Sequence, residues 1–171
     1  MGKQRKGRQN LSFDITTPRQ FFDKLKKEQQ KVEQKPASAR HAINAATNAW
    51  HLWEWVWGDL KNNQQAKNTI GVHEKKEFED YCKKKCPELE TMQCIAEGSK
   101  HLGTQGDNVA STSAKGGAFS SGFSKGFDVS RLQITKTDGS NTYFGDELRA
   151  VVDFWEQFFA KQLPSSPPSS P

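Results

Sequence analysis

The spacing of apolar residues near the start of the chain predicts an amphipathic helix. Thr17 and Pro18 place a capping hydroxyl before a proline at the first helical position, which is a strong signal for a helix start. Apolar residues then recur at steps of three and four as far as Val32, with lysine and glutamine between them. The pattern therefore predicts a first helix over residues 18–34.

A second helix is predicted over residues 38–58, with Ser38 as its cap and Gly58 at its end. One apolar row runs along it at helical spacing: Ile43, Ala46, Trp50, Trp53 and Trp57. We expect this row to face the core, because each tryptophan has a large apolar area to bury. Trp55 lies off the row, so it is the tryptophan expected to meet solvent, a partner or a loop.

Polar residues form a stripe beside the tryptophans of the second helix: Asn44, Thr47, Asn48, His51 and Glu54. A helix flanked by bulky aromatic side chains is expected to be buried on most sides, so these polar groups need partners. The stripe indicates either a satisfied polar network or a binding site.

Two more helices are predicted before the middle of the chain. Residues 59–72 are polar and are predicted to be a connection, followed by a charged third helix over residues 73–85. Pro87 begins a fourth helix over residues 87–102, with acidic residues in its first turn, where the helix dipole favours them.

Residues 103–126 are rich in Gly, Ser, Thr and Ala and are predicted to form a long loop. Phenylalanines recur every four residues near its end and are expected to pin the loop to the core: Phe119, Phe123 and Phe127. An Asp-Gly turn signal predicts one small β-hairpin over about residues 128–145. Asp146 is then predicted to cap a final helix over residues 147–162.

These elements predict a mainly α protein, with four to five helices in a bundle, a long Gly/Ser loop and one hairpin before the last helix. We expect a single helical domain over residues 15–162. A basic disordered arm over residues 1–14 precedes it, and a disordered Pro/Ser tail over residues 163–171 follows.

The net charge of +5 comes mostly from the first ten residues, which contain four basic and no acidic side chains. The rest of the chain has only about +1, whereas a dedicated nucleic-acid domain usually has a basic stripe on its folded body. The arm could contact phosphate. No apolar run approaches the ~20 residues that span a bilayer and no secretory signal is visible, so we expect a cytoplasmic protein without membrane contact.

The sequence predicts neither a metal nor a cofactor. The three cysteines, Cys82, Cys86 and Cys94, are odd in number and lack zinc-site spacing, so they are interpreted as plain thiols. His51 precedes Glu54 in the order His-x-x-Glu, the reverse of the Glu-x-x-His motif of di-iron bundles. Phosphate-loop and dinucleotide-binding fingerprints are also missing.

The candidate site combines the second and fourth predicted helices. His51 and Glu54 lie one helical turn apart, and Lys100 stands next to His101 at the end of the fourth helix. Lys100 would contact an anion, the two histidines would act as donors that switch with protonation, and Glu54 would orient one of them. Three neighbouring side chains are candidate ligand contacts: Asn44, Asn48 and Trp55.

Three segments, "TTPRQFFDKLKKE", "AWHLWEW" and "CIAEGSKHL", resemble a family of uncharacterised bacterial and phage helical proteins. That family pairs an aromatic-His-x-x-(Asp/Glu)-Trp helix with a Gly-x-Lys-His helix and a phenylalanine-bearing loop. The resemblance covers roughly residues 15–160. More distantly, the helical plan looks like the HEPN superfamily, which implies an RNA-cleaving or RNA-binding bundle in bacterial conflict and defence systems.

Active HEPN ribonucleases have an Arg-x4–6-His motif, of which only His101 has a counterpart here, because residues 94–97 contain no arginine. We therefore expect a HEPN-like module that binds a protein or nucleic-acid partner without clear catalysis, with a dimer plausible. Two alternatives remain open. One is a metal-independent ribonuclease that uses His101 and His51 as acid and base, and the other is a small-molecule-binding bundle with a tryptophan-lined pocket.

Overall fold

The architecture is mainly helical, with a small three-stranded sheet. It comes from a computed structural model, which describes residues 13–100, 108–116 and 130–163. The helices within those ranges are α1 (Pro18–Gln34), α2 (Ala39–Leu60), α3 (Gln64–Ile70), α4 (Lys75–Lys85), α5 (Glu88–Gly98) and α6 (Phe144–Gln162). The strands are β1 (Val109–Lys115), β2 (Arg131–Lys136) and β3 (Asn141–Tyr143).

Helix α1 has the bounds that the sequence predicts, because its start is determined locally. The Thr17 hydroxyl accepts a hydrogen bond from the Gln20 backbone N–H at 3.2 Å. Gln20 Oε1 in turn accepts one from the Thr17 backbone N–H at 3.1 Å, which completes a capping box. Both exchanges satisfy backbone donors that a helix end leaves unpaired.

Helix α2 is the central element, because it contacts each of the other five described helices. Its wholly buried alanines, Ala45, Ala46 and Ala49, are small enough for neighbouring helices to approach closely. Leu52 and Val56 are also wholly buried. Helices α1 and α5 make its most extensive contacts, and α6 and α4 pack against it as well.

The sheet is antiparallel with strand order β1-β2-β3. Strands β2 and β3 form the predicted hairpin, whose turn has Gly139 at φ 84°, a left-handed conformation that favours glycine. Asp138 Oδ1 accepts the Ser140 backbone N–H at 2.8 Å and fixes the turn. The hairpin prediction is confirmed.

The sheet is joined to the helical part by apolar packing, by a hydrogen bond from the Leu132 backbone N–H to the Pro36 carbonyl at 3.1 Å, and by an ion pair. Ile134 of β2 is only 1% exposed. Lys136 Nζ lies 2.9 Å from Glu147 Oε1 in the first turn of α6, with side-chain exposures of 22% and 7%. This ion pair links β2 to α6. Because the Glu147 carboxylate is almost fully buried, it depends on Lys136 for a partner.

Two predicted connections turn out to contain regular structure. Within residues 59–72, α3 forms a short helix, capped by Asn63 Oδ1 at 3.0 Å from the Ala66 N–H and ended by Gly71 at φ 72°. Within residues 103–126, β1 forms a strand because β2 supplies its pairing partner. The described residues therefore contain six helices and three strands, instead of four to five helices and one hairpin.

The predicted boundaries of three helices also need correction. Helix α6 begins at Phe144, with Tyr143 at its N-cap position, so Asp146 lies inside the first turn and pairs with Arg149 at 3.1 Å. Helix α5 ends at Gly98, before the predicted residue 102. Helix α2 continues to Leu60, past the predicted end at Gly58.

Several predictions fall on parts of the chain outside the described residues. These are the arm over residues 1–12, the three loop phenylalanines, and the tail over residues 164–171. Among the helices that the structure describes, none has the length and apolarity required to cross a membrane.

We predict that Lys136→Met destabilises the fold by about 2–4 kcal/mol, because it keeps the aliphatic stem but leaves the Glu147 carboxylate buried and unpaired. Urea unfolding at neutral pH measures the loss. Arg149→Met is the matched control, since its pair with Asp146 is more than half exposed on both sides. Equal losses in the two variants would contradict the role assigned to Lys136.

Candidate functional site

His51 and Glu54 lie side by side on the exposed side of α2. His51 Nδ1 is 3.5 Å from Glu54 Oε2, and the two side chains are 33% and 42% exposed. Their separation of three positions places them one turn apart on the same face of the helix. The structure thus brings together the two residues of the candidate site that share a helix.

Glu54 also pairs with a residue that the sequence did not single out. Lys75, at the start of α4, places its Nζ 2.6 Å from Glu54 Oε1. The hydrogen bond from Lys75 is the largest influence on the carboxyl, and together with His51 it lowers the pKa of Glu54 despite an opposing effect of burial. Glu54 is therefore an ionised carboxylate at neutral pH, unsuited to act as a general acid.

The tryptophans beside this pair are core residues covered by lysines. Trp50 and Trp53 are 8% and 5% exposed, with ring centroids 5.7 Å apart. Lys75 Nζ lies 5.0 Å from the Trp53 ring centroid, and Lys83 Nζ lies 5.0 Å from that of Trp50. These cation–π contacts tie two lysines of α4 to the tryptophans, and the burial of both rings leaves little of their surface for a planar ligand.

The other two tryptophans of α2 hold neighbouring helices. Trp55 is half-buried and stacks on Phe21 of α1, with ring centroids 4.8 Å apart and planes inclined by 22°. Trp57, predicted to be core, is also half-buried and stacks on Phe78 of α4 at 5.9 Å. Trp55 therefore packs against α1, although part of its surface is accessible to a partner.

The polar stripe of α2 is less buried than the sequence suggests. Asn48 is buried, but Asn44 and Glu54 are exposed, and Thr47 donates to the Ile43 carbonyl at 2.8 Å within its own helix. Ile43 is itself 38% exposed, although it was assigned to the apolar row. The expectation of a buried network is wrong for most of the stripe, because only Asn48 is buried and the other members are exposed or half-buried.

The second half of the predicted site is only partly described. Lys100 is exposed in the turn after α5, where its backbone N–H donates to the Glu97 carbonyl at 3.0 Å. Glu54 pairs with Lys75 and His51, and the Lys100 side chain forms no ion pair with it. His101 lies outside the described residues, so its proximity to His51 stays a prediction.

A cleft between α4 and α6 has a different character. Its volume is about 330 Å³, and seven residues line it: Tyr81, Lys85, Phe154, Gln157, Phe158, Lys161 and Gln162. The lining contains two lysines and no carboxylate. The cleft is therefore positively charged and aromatic, unlike the charge-balanced surface around Glu54.

The aromatic rings of the cleft are held from behind by the core. Tyr81 stacks on the wholly buried Phe78, with centroids 6.2 Å apart and planes inclined by 12°, and Phe158 meets Tyr81 edge-on at 6.5 Å. Lys85 Nζ lies 6.0 Å from the Tyr81 ring centroid. Burial raises the pKa of Tyr81, so its hydroxyl stays neutral and available for hydrogen bonding.

The sequence missed this cleft because its two walls are far apart along the chain. In the sequence, Tyr81 and Lys85 both fall within the charged third helix predicted over residues 73–85, where neither is predicted to be part of a site. The i, i+4 spacing of Tyr81 and Lys85, and the spacing of Phe154, Phe158 and Lys161, were available signals. What the sequence does not indicate is that Phe78 and Tyr81 of α4 meet Phe158 of α6.

The described residues offer no metal site built from three or more His, Cys, Asp or Glu side chains. Burial raises the pKa of Cys86 to about 12 and that of Cys82 well above its usual range. Both thiols are therefore protonated at neutral pH, which removes the thiolate that a nucleophile or metal ligand requires.

Comparison of the chain with models of protein families, with curated proteins and with solved structures finds no match. The resemblance of the sequence to phage and bacterial helical proteins, and to HEPN bundles, accordingly stays a prediction. Arguments about function rest on the geometry of the α2–α4 surface and of the α4–α6 cleft.

We predict that Glu54→Gln lowers the free energy of unfolding by less than about 1 kcal/mol at pH 7, because the pair with Lys75 is largely exposed. Folding lowers the pKa of the Glu54 carboxyl, so the ionised group stabilises the fold at any pH above its ordinary pKa. This stabilisation is lost as the pH falls through the lowered pKa of the folded state. The difference between wild type and variant should therefore disappear in acid.

Urea unfolding at neutral and acidic pH measures this difference. Asp153→Asn is the control, since Asp153 is exposed and has no ion-pair partner among the described residues. A difference that persists in acid would mean that Glu54 acts through packing.

Proposed function

We propose that this protein is a non-catalytic helical module that binds single-stranded nucleic acid through the α4–α6 cleft. The observation that carries the proposal is the composition of the cleft, which is lined by two lysines, the half-buried rings of Tyr81 and Phe154 and the buried ring of Phe158, and by no carboxylate. Proteins that bind single strands combine cations that follow the phosphates with aromatic side chains on which bases stack.

The volume and rigidity of the cleft support the same ligand class. About 330 Å³ lies at the small end of the range for ligand sites, which suits one nucleotide unit at a time. Tyr81 is braced by the buried rings of Phe78 and Phe158, so its stacking surface is formed before binding. Preorganised rings lose little conformational entropy when a base is added.

The absence of a catalytic role is inferred from the chemistry of the α2–α4 surface. A histidine that acts as general base is commonly oriented by a carboxylate, and His51 has Glu54 as such a neighbour. The shorter contact of Glu54 is with Lys75, however, which ties the carboxylate into a bridge between two helices. We assign this bridge to the stability of the helix packing.

The proposed setting, a bacterial conflict or defence system, comes from the HEPN resemblance alone. The ribonuclease alternative depends on His101 and stays open to the test below. The small-molecule alternative is disfavoured at Trp50 and Trp53, because both side chains are almost fully buried.

The first test is the affinity of the full chain for fluorescently labelled single-stranded RNA and DNA, measured by anisotropy at several salt concentrations. We expect the double variant Lys85→Ala, Lys161→Ala to bind at least tenfold more weakly. The slope of log affinity against log salt should also fall by about 1.4, since each phosphate contact to a single strand contributes about 0.7.

The matched control removes two exposed lysines outside the cleft, Lys27 of α1 and its C-cap residue Lys35, in the double variant Lys27→Ala, Lys35→Ala. This variant has the same net charge as the cleft variant. Equal weakening in both would indicate non-specific attraction, and failure of the wild-type chain to bind at low salt would contradict the proposal.

The second test concerns base stacking. We predict that Tyr81→Leu weakens binding about 5- to 150-fold, corresponding to about 1–3 kcal/mol for one stacked base, whereas Tyr81→Phe binds like the wild type. Intact RNA after incubation supports the non-catalytic assignment. Cleavage that is lost in His51→Ala would support the ribonuclease alternative instead.

A further inference from the structure

Strand β1 presents a long and open sheet edge. It has seven residues and pairs with β2 on one side, and no described residue pairs with its other side. All of its residues except Val109 are exposed. By contrast, β3 at the opposite edge has only three residues.

The middle of β1 lacks the features by which proteins usually protect an edge. Such protection comes from charged residues, prolines or bulges along the strand. In β1 the register irregularity lies at one end, between Val109 and Ser111, and the only charged residue, Lys115, lies at the other. Residues 111–114 between them are small and uncharged.

The exposure of β1 also means that burial within its own chain contributes little to its stability. Ala, Ser and Thr side chains on both faces remove little apolar area from water, so β1 is held mainly by its backbone pairing with β2. Pairing of the outer edge with another strand would satisfy the remaining backbone donors and acceptors.

We propose that β1 is a self-association edge, at which two copies of this chain pair antiparallel about Thr112. The three strands of each copy then form one continuous six-stranded sheet. The contact is isologous, because each copy contributes the same edge, so assembly closes at a dimer.

A second copy is the occupant that fits the residues of β1. Antiparallel pairing centred on Thr112 places Ser111 opposite Ser113 and Ala110 opposite Ala114. Lys115 falls opposite Val109 of the other copy, so no like charges face each other. The strand is thus complementary to itself in size and charge, and the proposal is independent of nucleic-acid binding.

The proposed register places Thr112 of one copy directly opposite Thr112 of the other, across the two-fold axis. This position therefore allows a charge-swap experiment. In Thr112→Lys two ammonium groups oppose each other, and in Thr112→Glu two carboxylates do. We expect the wild type to sediment as a dimer and each variant as a monomer. An equimolar mixture of the two variants should recover the dimer, because opposite charges then meet.

The matched controls are Gln30→Lys and Gln30→Glu, at an exposed position of α1 outside the sheet. Both should stay dimeric. A monomeric wild type up to its solubility limit, or Thr112 variants that remain dimeric, would overturn the proposal, as would a mixture that stays monomeric.

Hydrogen exchange of the wild-type chain gives a reading that does not depend on any variant. Protection of amides within residues 111–114 should rise with protein concentration as the outer edge becomes paired. Protection that is independent of concentration would argue against the strand pairing, even if a dimer formed elsewhere.

Discussion

The burial of α2 is the constraint on which the arrangement of the other helices depends. Ten of its 22 residues are buried, on more than one side of the helix. A helix with apolar residues over so much of its surface has to be covered by several neighbours. Phe21 of α1 stacks on Trp55, and Phe78 of α4 stacks on Trp57. Helix α6 contributes the wholly buried Trp155 to the same core.

This arrangement gives α4 two different exposed edges. Phe78 and Cys82 point into the core, so residues on either side of that row face different neighbours. Towards α2, Lys83 is paired with Glu79 at 2.8 Å and covers Trp50. Towards α6, Lys85 has no ion-pair partner among the described residues and lines the cleft. One helix therefore has a neutralised edge that stabilises packing and a basic edge that is free to bind an anion.

The parts of the fold that were predictable are those determined by short-range signals. The capping hydroxyl and proline specify the start of α1, and the Asp-Gly pair specifies the β2–β3 turn. Helix α3 has comparable signals in Asn63 and Gly71, but it buries only Ala66, so no hydrophobic period reveals it. Its polar residues are typical of a loop between helices.

Strand β1 and the basic cleft were beyond sequence reasoning for a different reason. The Ala, Ser and Thr residues of β1 have no alternation of apolar and polar side chains, so the strand exists only because β2 pairs with it. Likewise, His51 and Glu54 follow from their spacing, but Lys75 is 21 residues from Glu54 along the chain. Such contacts are determined by helix packing, which single-sequence periodicity does not specify.

The two proposed surfaces lie on elements that are physically connected. Helix α6 lines the cleft with Phe154 and Lys161, and its first turn is tied to the sheet by the Lys136–Glu147 pair. A dimer formed through β1 would contain two clefts. A nucleic-acid strand bound in one cleft would then meet the other cleft at a raised effective concentration.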